Sequence, residues 1–183
     1  MTDKITDEQL MKNYAKGTQS AFALLYERHK GPLYRYFQRQ LSQTLTTRAE
    51  ELFQEVWFKV IDNRQSYEVK AKFTTWLYRI AHNLLIDEYR KEQRITQVVI
   101  ETGDELNADP INKLTTEASV LTQSEQAVDN MFLQQATKHC IFLLSPLQRE
   151  TFLLRYDAEF DPAAICEVLN EKRKQSKRVY VTL

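Results

Sequence analysis

The sequence predicts an all-α protein with two small helical domains joined by a flexible acidic linker. Its 183 residues include only 3 Gly and 4 Pro, too few turn-forming residues for a strand-and-turn architecture. Hydrophobic residues make up 43% and charged residues 27%, which is the composition of a soluble globular protein. In most segments the apolar residues recur at helical spacing rather than in alternation.

Residues 1–94 form the predicted first domain. A helix begins near Thr18, is interrupted or kinked at Gly31-Pro32, and then resumes. A second helix covers 49–61 and buries one apolar stripe on a single face. The stripe consists of Leu52, Phe53, Val56, Trp57, Val60 and Ile61.

A polar loop at 62–72 leads to the third predicted helix. Thr74 has the character of an N-cap, and the helix runs to about Arg94. Its core side carries Leu77, Ile80, Ala81, Leu84 and Leu85, and its outward side is expected to carry Arg79, His82, Asn83, Ile86, Asp87 and Arg90.

The second half predicts a linker at 95–130 and a second domain at 131–183. Residues 64–94 carry seven Lys and Arg against four acids, the linker carries one base against seven acids, and the last thirteen residues carry five bases and one acid. Basic segments on both sides of an acidic one suggest two surfaces that face a polyanion, although chance variation of surface charge would give the same counts. Ser145-Pro146 and Asp161-Pro162 each predict a helix start, which together outline a helix-turn-helix that is incomplete after about residue 170.

Cations interleaved with aromatics in the third helix favour nucleic-acid binding. Lys and Arg neutralise phosphates, and aromatic faces stack unpaired bases. The alternative is a solvated charged face over a core that contains Trp76. No metal site, cofactor or catalytic set is predicted, since the three His and two Cys lack ligand spacing. Without a signal peptide or a membrane-length apolar run, we expect a cytoplasmic protein that does not insert into membranes. Because no catalytic set is found, we expect that it is not an enzyme.

Three motifs in this sequence resemble, in order, those of extracytoplasmic-function (ECF) sigma factors of the main bacterial sigma class. Phe73-Thr-Thr-Trp-Leu-Tyr-Arg-Ile-Ala-His-Asn resembles the family's promoter-melting and minus-ten-recognition segment. Ala49-Glu-Glu-Leu-Phe-Gln-Glu-Val-Trp resembles the helix that docks on the beta-prime coiled coil of RNA polymerase. Leu144-Ser-Pro-Leu-Gln-Arg-Glu-Thr-Phe resembles the start of the fourth sigma region, so the resemblance covers about residues 20–170.

The resemblance implies a role for each matching position. Asn83 and Asp87 would line a pocket for a base flipped out of the non-template strand, and Trp76 would be a core residue. The implied DNA-binding set is Lys72, Arg79, His82, Asn83, Asp87, Arg90, Lys91 and Arg94, and the implied polymerase-binding set is Glu51, Gln54 and Glu55.

The implied partners are core RNA polymerase, through its beta-prime coiled coil, the single-stranded minus-ten element of promoter DNA, and an anti-sigma factor. Two alternatives stay open. One is a DNA-binding regulator that acts without polymerase. The other is an inactive product that titrates polymerase or an anti-sigma factor.

After Asn170 the sequence departs from the family's pattern. The family's recognition helix resembles Thr-Val-Lys-Ser-Arg-Leu, whereas this chain continues Glu-Lys-Arg-Lys-Gln-Ser-Lys-Arg-Val-Tyr-Val-Thr-Leu. Residues 174–183 can be encoded by a DNA sequence that, without its first two bases, reads Thr-Val-Lys-Thr-Arg-Leu-Arg-Tyr-Ala in the shifted frame. This reading predicts that the chain is a frameshifted product. The competing interpretation is a native basic tail. Because direct readout needs side chains fixed in the major groove, we expect weak minus-thirty-five readout and an exposed apolar face on Ile165, Val168 and Leu169.

Overall fold

The structure, a computed structural model, describes residues 5–41, 46–102, 136–137 and 139–169, and the regular elements of these residues are all helical. The predicted all-α class is therefore confirmed. Most of the predicted linker and the divergent segment from Asn170 onward lie outside the described residues. The helices are α1 (Asp7–Ala15), α2 (Gln19–Gln40), α3 (Thr46–Asp62), α4 (Phe73–Thr102), α5 (Pro146–Tyr156) and α6 (Pro162–Val168).

Helix α1 was not predicted, although its start carries a sequence signal. Thr6 and Gln9 form a capping box, in which each side chain bonds the backbone N–H of the other residue. Leu10, Met11 and Tyr14 are buried. The Glu8 carboxylate accepts a hydrogen bond from the backbone N–H of Phe73 at 2.8 Å, so α1 also caps the start of α4.

Helix α2 is continuous through Gly31-Pro32, so of the predicted interruption or kink the interruption is wrong. Pro32 lies inside the helix. The residues that follow it, Leu33, Tyr36 and Phe37, are at most 1% exposed. Packing of these side chains against α3 and α4 outweighs the hydrogen bond that proline removes from the helix.

Helices α3 and α4 follow the predicted pattern on their buried faces but differ at the ends of α4. The helix begins at Phe73, so Thr74 lies within its first turn rather than before it. It also continues past Arg94 to Thr102, where the sequence predicted a linker. No helix in the described ranges is both long and apolar enough to cross a membrane.

Helices α5 and α6 begin where the sequence predicts. Ser145 and Asp161 accept hydrogen bonds from the N–H groups of Gln148 and Ala164, and each is followed by proline. Arg149 on α5 donates to the carbonyl oxygen of Gln40 at 2.9 Å, at the end of α2.

Helices α5 and α6 pack on the N-terminal helices and share one core with them. The Phe160 ring meets the Tyr78 ring edge-on at 5.1 Å. Ile165 and Val168 are fully buried and Leu169 is 7% exposed. The predicted exposed apolar face on these three residues is therefore wrong, because α6 turns it towards α4.

Candidate nucleic-acid interface

The predicted DNA-binding residues divide into an open half and a second half that lies beside α5 and α6. The open half lies along the C-terminal part of α4, where Asn83 and Asp87 are exposed one helical turn apart and therefore share a face. It consists of Asn83, Asp87, Arg90, Lys91 and Arg94, all exposed.

The ion pairs in the open half are long and solvated. Arg90 lies 3.6 Å from Asp87, and Lys91 lies 3.8 Å from Glu88. Such pairs contribute little to stability, so these cations can exchange their carboxylate for a phosphate. Glu88 is held mainly by Arg48, whose hydrogen bond lowers the pKa of that carboxyl.

A groove of about 260 Å³ separates α3 from α4 beside the open half. Its floor is apolar and its walls carry more cations than carboxylates, which gives it a positive potential. The groove connects Glu55 on α3 with the exposed cations of α4. It is lined by Arg48, Leu52, Glu55, Lys59, Leu84, Asp87, Arg90, Lys91 and Arg94.

The second half consists of Lys72, Arg79 and His82, which lie beside α5 and α6; Arg79 is exposed and His82 is buried. Arg79 donates through Nε and Nη2 to the backbone oxygen of Glu167, at 3.0 and 2.6 Å. Lys72 is exposed. The pKa of Asp161 is lowered first by the backbone N–H of Ala164, and the charge of Lys72 contributes.

His82 is buried, so its predicted position on the outward face is wrong. The residue is 8% exposed, and its Nδ1 lies 2.7 Å from Oε1 of Glu150 on α5. The same Oε1 accepts a hydrogen bond from the Tyr36 hydroxyl at 2.5 Å. Burial raises the pKa of the Tyr36 hydroxyl well above its usual value, and the charge of Glu150 raises it further.

Sequence reasoning missed Glu150 and Tyr36 in this cluster. Glu150 precedes the buried Leu153 and Leu154 by three and four positions, so a helical projection places it on their face. A carboxylate at such a position needs a buried partner. That signal was present in the sequence, but the identity of the partners was not.

Trp76 is half-buried and packs between other rings. Its ring centroid lies 5.0 Å from that of Tyr67 and 5.9 Å from that of Phe73. Burial raises the pKa of Tyr67 to about 12. This aromatic cluster fixes the loop at 62–72 against the start of α4.

The outward face of α3 carries the predicted polymerase-binding residues. Glu51 and Gln54 are exposed and Glu55 is half-buried. Arg48 donates to Glu51 at 2.6 Å. Phe58 is 62% exposed and lies one turn after Gln54. Sequence reasoning missed this exposed aromatic residue, although its position outside the apolar stripe is a signal for it.

Comparisons with known proteins show what this chain is similar to. Residues 25–95 match the family model "Sigma-70 region 2". The chain is 29% identical over 160 residues to the ECF RNA polymerase sigma factor SigW of Bacillus subtilis, covering 87% of this chain and 83% of that protein. It is 33% identical over 86 residues to the ECF RNA polymerase sigma factor SigX of the same species, covering 47% of this chain and 43% of the relative.

The fold also matches a solved structure. A structure of CnrH in complex with the cytosolic domain of CnrY superposes with a TM-score of 0.63 at 16% identity, covering 96% of this chain and 90% of that one. That likeness concerns the fold. The region 2 match and the alignments to SigW and SigX support the identification of this chain as an ECF sigma factor.

Proposed function

We propose that this chain binds core RNA polymerase through α3, directs it to promoters, and opens the minus-ten element by capturing an extruded base at Asn83 and Asp87. The observation that carries this proposal is the exposure of both side chains on one face of α4, beside a groove lined with cations. An amide and a carboxylate together offer donors and acceptors to a base edge.

The expected mechanism separates positioning from reading. Arg90, Lys91 and Arg94 contact phosphates, which fix the register of the strand without reading its sequence. Taking one base out of the stack costs a few kcal/mol, which the pocket contacts must offset. No bond is made or broken, and we infer that the chain itself is not an enzyme.

Polymerase docking involves the outward face of α3. Gln54 and Glu55 supply polar contacts, and Phe58 supplies a large apolar anchor of the kind that dominates interface energies. Glu51 is held by Arg48 and points to the same surface.

Two further parts of the proposal concern partners. The relatives SigW and SigX are named as RNA polymerase sigma factors, and CnrH was solved in complex with the cytosolic domain of another protein. We therefore expect this chain to act on polymerase in the cytoplasm and to have an anti-sigma partner. Minus-thirty-five readout is expected to be impaired, because the sequence after Asn170 departs from the family's recognition helix.

Two double variants test the assignment of roles. Asn83→Ala with Asp87→Ala is expected to reduce promoter opening at least tenfold, about 1.4 kcal/mol in the transition free energy, while holoenzyme formation is unchanged. Gln54→Ala with Glu55→Ala is expected to weaken holoenzyme formation. Permanganate reactivity of unpaired thymines measures opening, and fluorescence anisotropy of labelled chain measures binding to core polymerase.

The same measurements separate the alternative functions. Loss of polymerase binding in the Asn83 and Asp87 variant would refute the base-capture role. Binding to promoter DNA of equal strength with and without polymerase would favour a regulator that acts alone. Polymerase binding without any opening would favour a titrating product.

A further inference from the structure

Helix α1 contacts both ends of the loop at 62–72, which connects α3 to α4. At the end of the loop, Oε1 of Glu8 accepts a hydrogen bond from the backbone N–H of Phe73 at 2.8 Å. Near its beginning, Nε2 of Gln65 donates to the backbone oxygen of Ala15, the last residue of α1, at 2.9 Å. The loop is therefore held between the first turn and the last residue of one helix.

Two further contacts join α1 to the middle of this loop. The guanidinium carbon of Arg64 lies 6.0 Å from the centroid of the Tyr14 ring. After burial, the charges of Glu8 and Asp7 contribute to the raised pKa of Tyr67, so both carboxylates lie near that hydroxyl. Helix α1 thus supports the loop along its length rather than at a single point.

Helix α1 is itself fixed to the bundle. Leu10 and Met11 are at most 2% exposed. Nη1 of Arg28 on α2 donates to Oδ1 of Asp7 at 2.6 Å, and Nε2 of His29 lies 2.7 Å from the other oxygen of the same carboxylate. A helix that is anchored by core packing and by polar contacts at its start can hold a loop in one position.

The loop borders the face of α4 that carries Asn83 and Asp87. The ring centroid of Tyr67 lies 5.0 Å from that of Trp76. Trp76 precedes Asn83 by seven residues, or two helical turns, so the two side chains share a face about 10 Å apart along the helix axis. The loop and Trp76 therefore form one end of the surface that is available to a base captured at Asn83.

We propose that α1 is a positioning element for base capture, in which Glu8 and the backbone oxygen of Ala15 hold the loop at 62–72 against the Asn83 face. The inference rests on the proposed function, because this face is taken to capture a base. Glu8 is a positioning residue, since it acts through the backbone of Phe73. A loop that moves among several positions lowers the fraction of molecules with a competent surface, and apparent affinity for the extruded base falls by that fraction.

Removal of the Glu8 carboxylate is expected to impair opening but not docking. Loss of one helix cap changes an equilibrium about fivefold. We therefore expect Glu8→Ala to reduce promoter opening by the holoenzyme about fivefold. Holoenzyme formation should be unchanged, because the outward face of α3 is not altered. Glu8→Gln keeps an acceptor oxygen on a side chain of the same length and should restore most of the opening.

The test uses the full chain with a second loosening variant and a matched control. Gln65→Ala removes the hydrogen bond to Ala15 at an exposed position, where the substitution disturbs the fold little. Lys12→Gln is the control, because Lys12 is exposed on the same helix. Circular dichroism confirms that each variant is folded, and Gln65→Ala decides the matter if Glu8→Ala is not.

The first readout is hydrogen–deuterium exchange of the free chain, followed by mass spectrometry of peptides that cover 62–73. Exchange there should be faster in Glu8→Ala and Gln65→Ala than in the unsubstituted chain, and unchanged in Lys12→Gln. This readout reports the position of the loop without reference to DNA.

The second readout is permanganate reactivity of unpaired thymines at a promoter that the chain serves, with and without Asn83→Ala. If Glu8 acts through the Asn83 surface, Glu8→Ala should cause no further loss of opening once Asn83 is replaced. Effects of independent sites combine without coupling, so a substitution that merely destabilises the chain would cause its full fivefold loss, or about that, in both backgrounds.

Three results would overturn the inference. They are unchanged exchange at 62–73 in both loosening variants, faster exchange with normal opening, and a full further loss in the Asn83→Ala background. Normal opening by Glu8→Ala while the Asn83 and Asp87 double variant is impaired counts against this inference alone. Normal opening by that double variant counts against the proposed function, and the positioning role in base capture is then refuted with it.

Discussion

Two tyrosines show how local surroundings decide what a buried hydroxyl contributes. The Tyr36 hydroxyl donates to the Glu150 carboxylate. The Tyr67 hydroxyl is buried and has no hydrogen-bond partner among the described residues. A hydrogen bond to a charged group is worth about 1.5–3 kcal/mol, whereas a buried polar group without a partner costs free energy.

Tyr36→Phe and Tyr67→Phe are therefore expected to differ. The first should lower the free energy of unfolding by about 1.5–3 kcal/mol. The second should leave it within about 0.5 kcal/mol or raise it. Urea denaturation of the two variants measures the difference, and equal losses in both would contradict the assigned hydrogen bonds.

The pH dependence of stability gives a second readout of Tyr67. Burial raises its pKa to about 12 in the folded state, while the unfolded value is near 10. Between these two values the unfolded chain releases its proton first, so the free energy of unfolding falls as pH rises. Tyr67→Phe should flatten this fall, and Tyr89, also raised to about 12 mainly by burial, should keep part of it.

At the residue scale, the sequence predicted which side chains are exposed better than it predicted which residues they contact. Asn83 and Asp87 are exposed as the helical spacing predicted. His82 was placed on the same outward face and is buried. Its partner Glu150 lies 68 positions away along the chain, and no periodicity within α4 carries information about a contact at that distance.

At the scale of elements, two glycines differ in what they contribute. Gly17 follows α1 with a φ of +103°, a conformation that residues with a Cβ rarely adopt. Gly31 lies inside α2, and a Cβ added there would meet only Nη1 of Arg35 at 3.5 Å, an ordinary contact. The turn requires one glycine, and the helix does not require the other.

Opposite effects are expected from alanine at these positions. Gly31→Ala should raise the free energy of unfolding by about 0.5–1 kcal/mol, because alanine has the higher helix propensity. Gly17→Ala should lower it by about 1 kcal/mol or more, because of backbone strain. Thermal unfolding followed by circular dichroism checks both, and stabilisation by Gly17→Ala would refute the turn geometry.

Two helix starts with local capping side chains were predicted, whereas the start of α4, whose cap is distant in sequence, was missed. Ser145 and Asp161 cap helices from within three residues, and both starts were predicted correctly. The start of α4 is capped by Glu8, 65 positions earlier. Thr74 was chosen instead because its residue type suits an N-cap.

At the scale of the whole molecule, the sequence predicted two helical domains but did not predict that they pack together. The predicted division into two domains follows from the acidic segment between them and leaves open whether the domains pack together. The structure packs α5 and α6 on α2 and α4 with Ile165 and Val168 fully buried. Such packing depends on complementary faces far apart in sequence, which composition and periodicity do not reveal.

The claim that polymerase and promoter are engaged from adjacent helices of one bundle is tested most directly by in vitro transcription. Core RNA polymerase would transcribe fragmented genomic DNA from the source organism with and without the chain, and the RNA 5′ ends would be sequenced. We expect chain-dependent start sites that share a minus-ten motif and disappear with the Asn83→Ala and Asp87→Ala double variant. Start sites that are the same with and without the chain, or that persist with the double variant, would contradict the account.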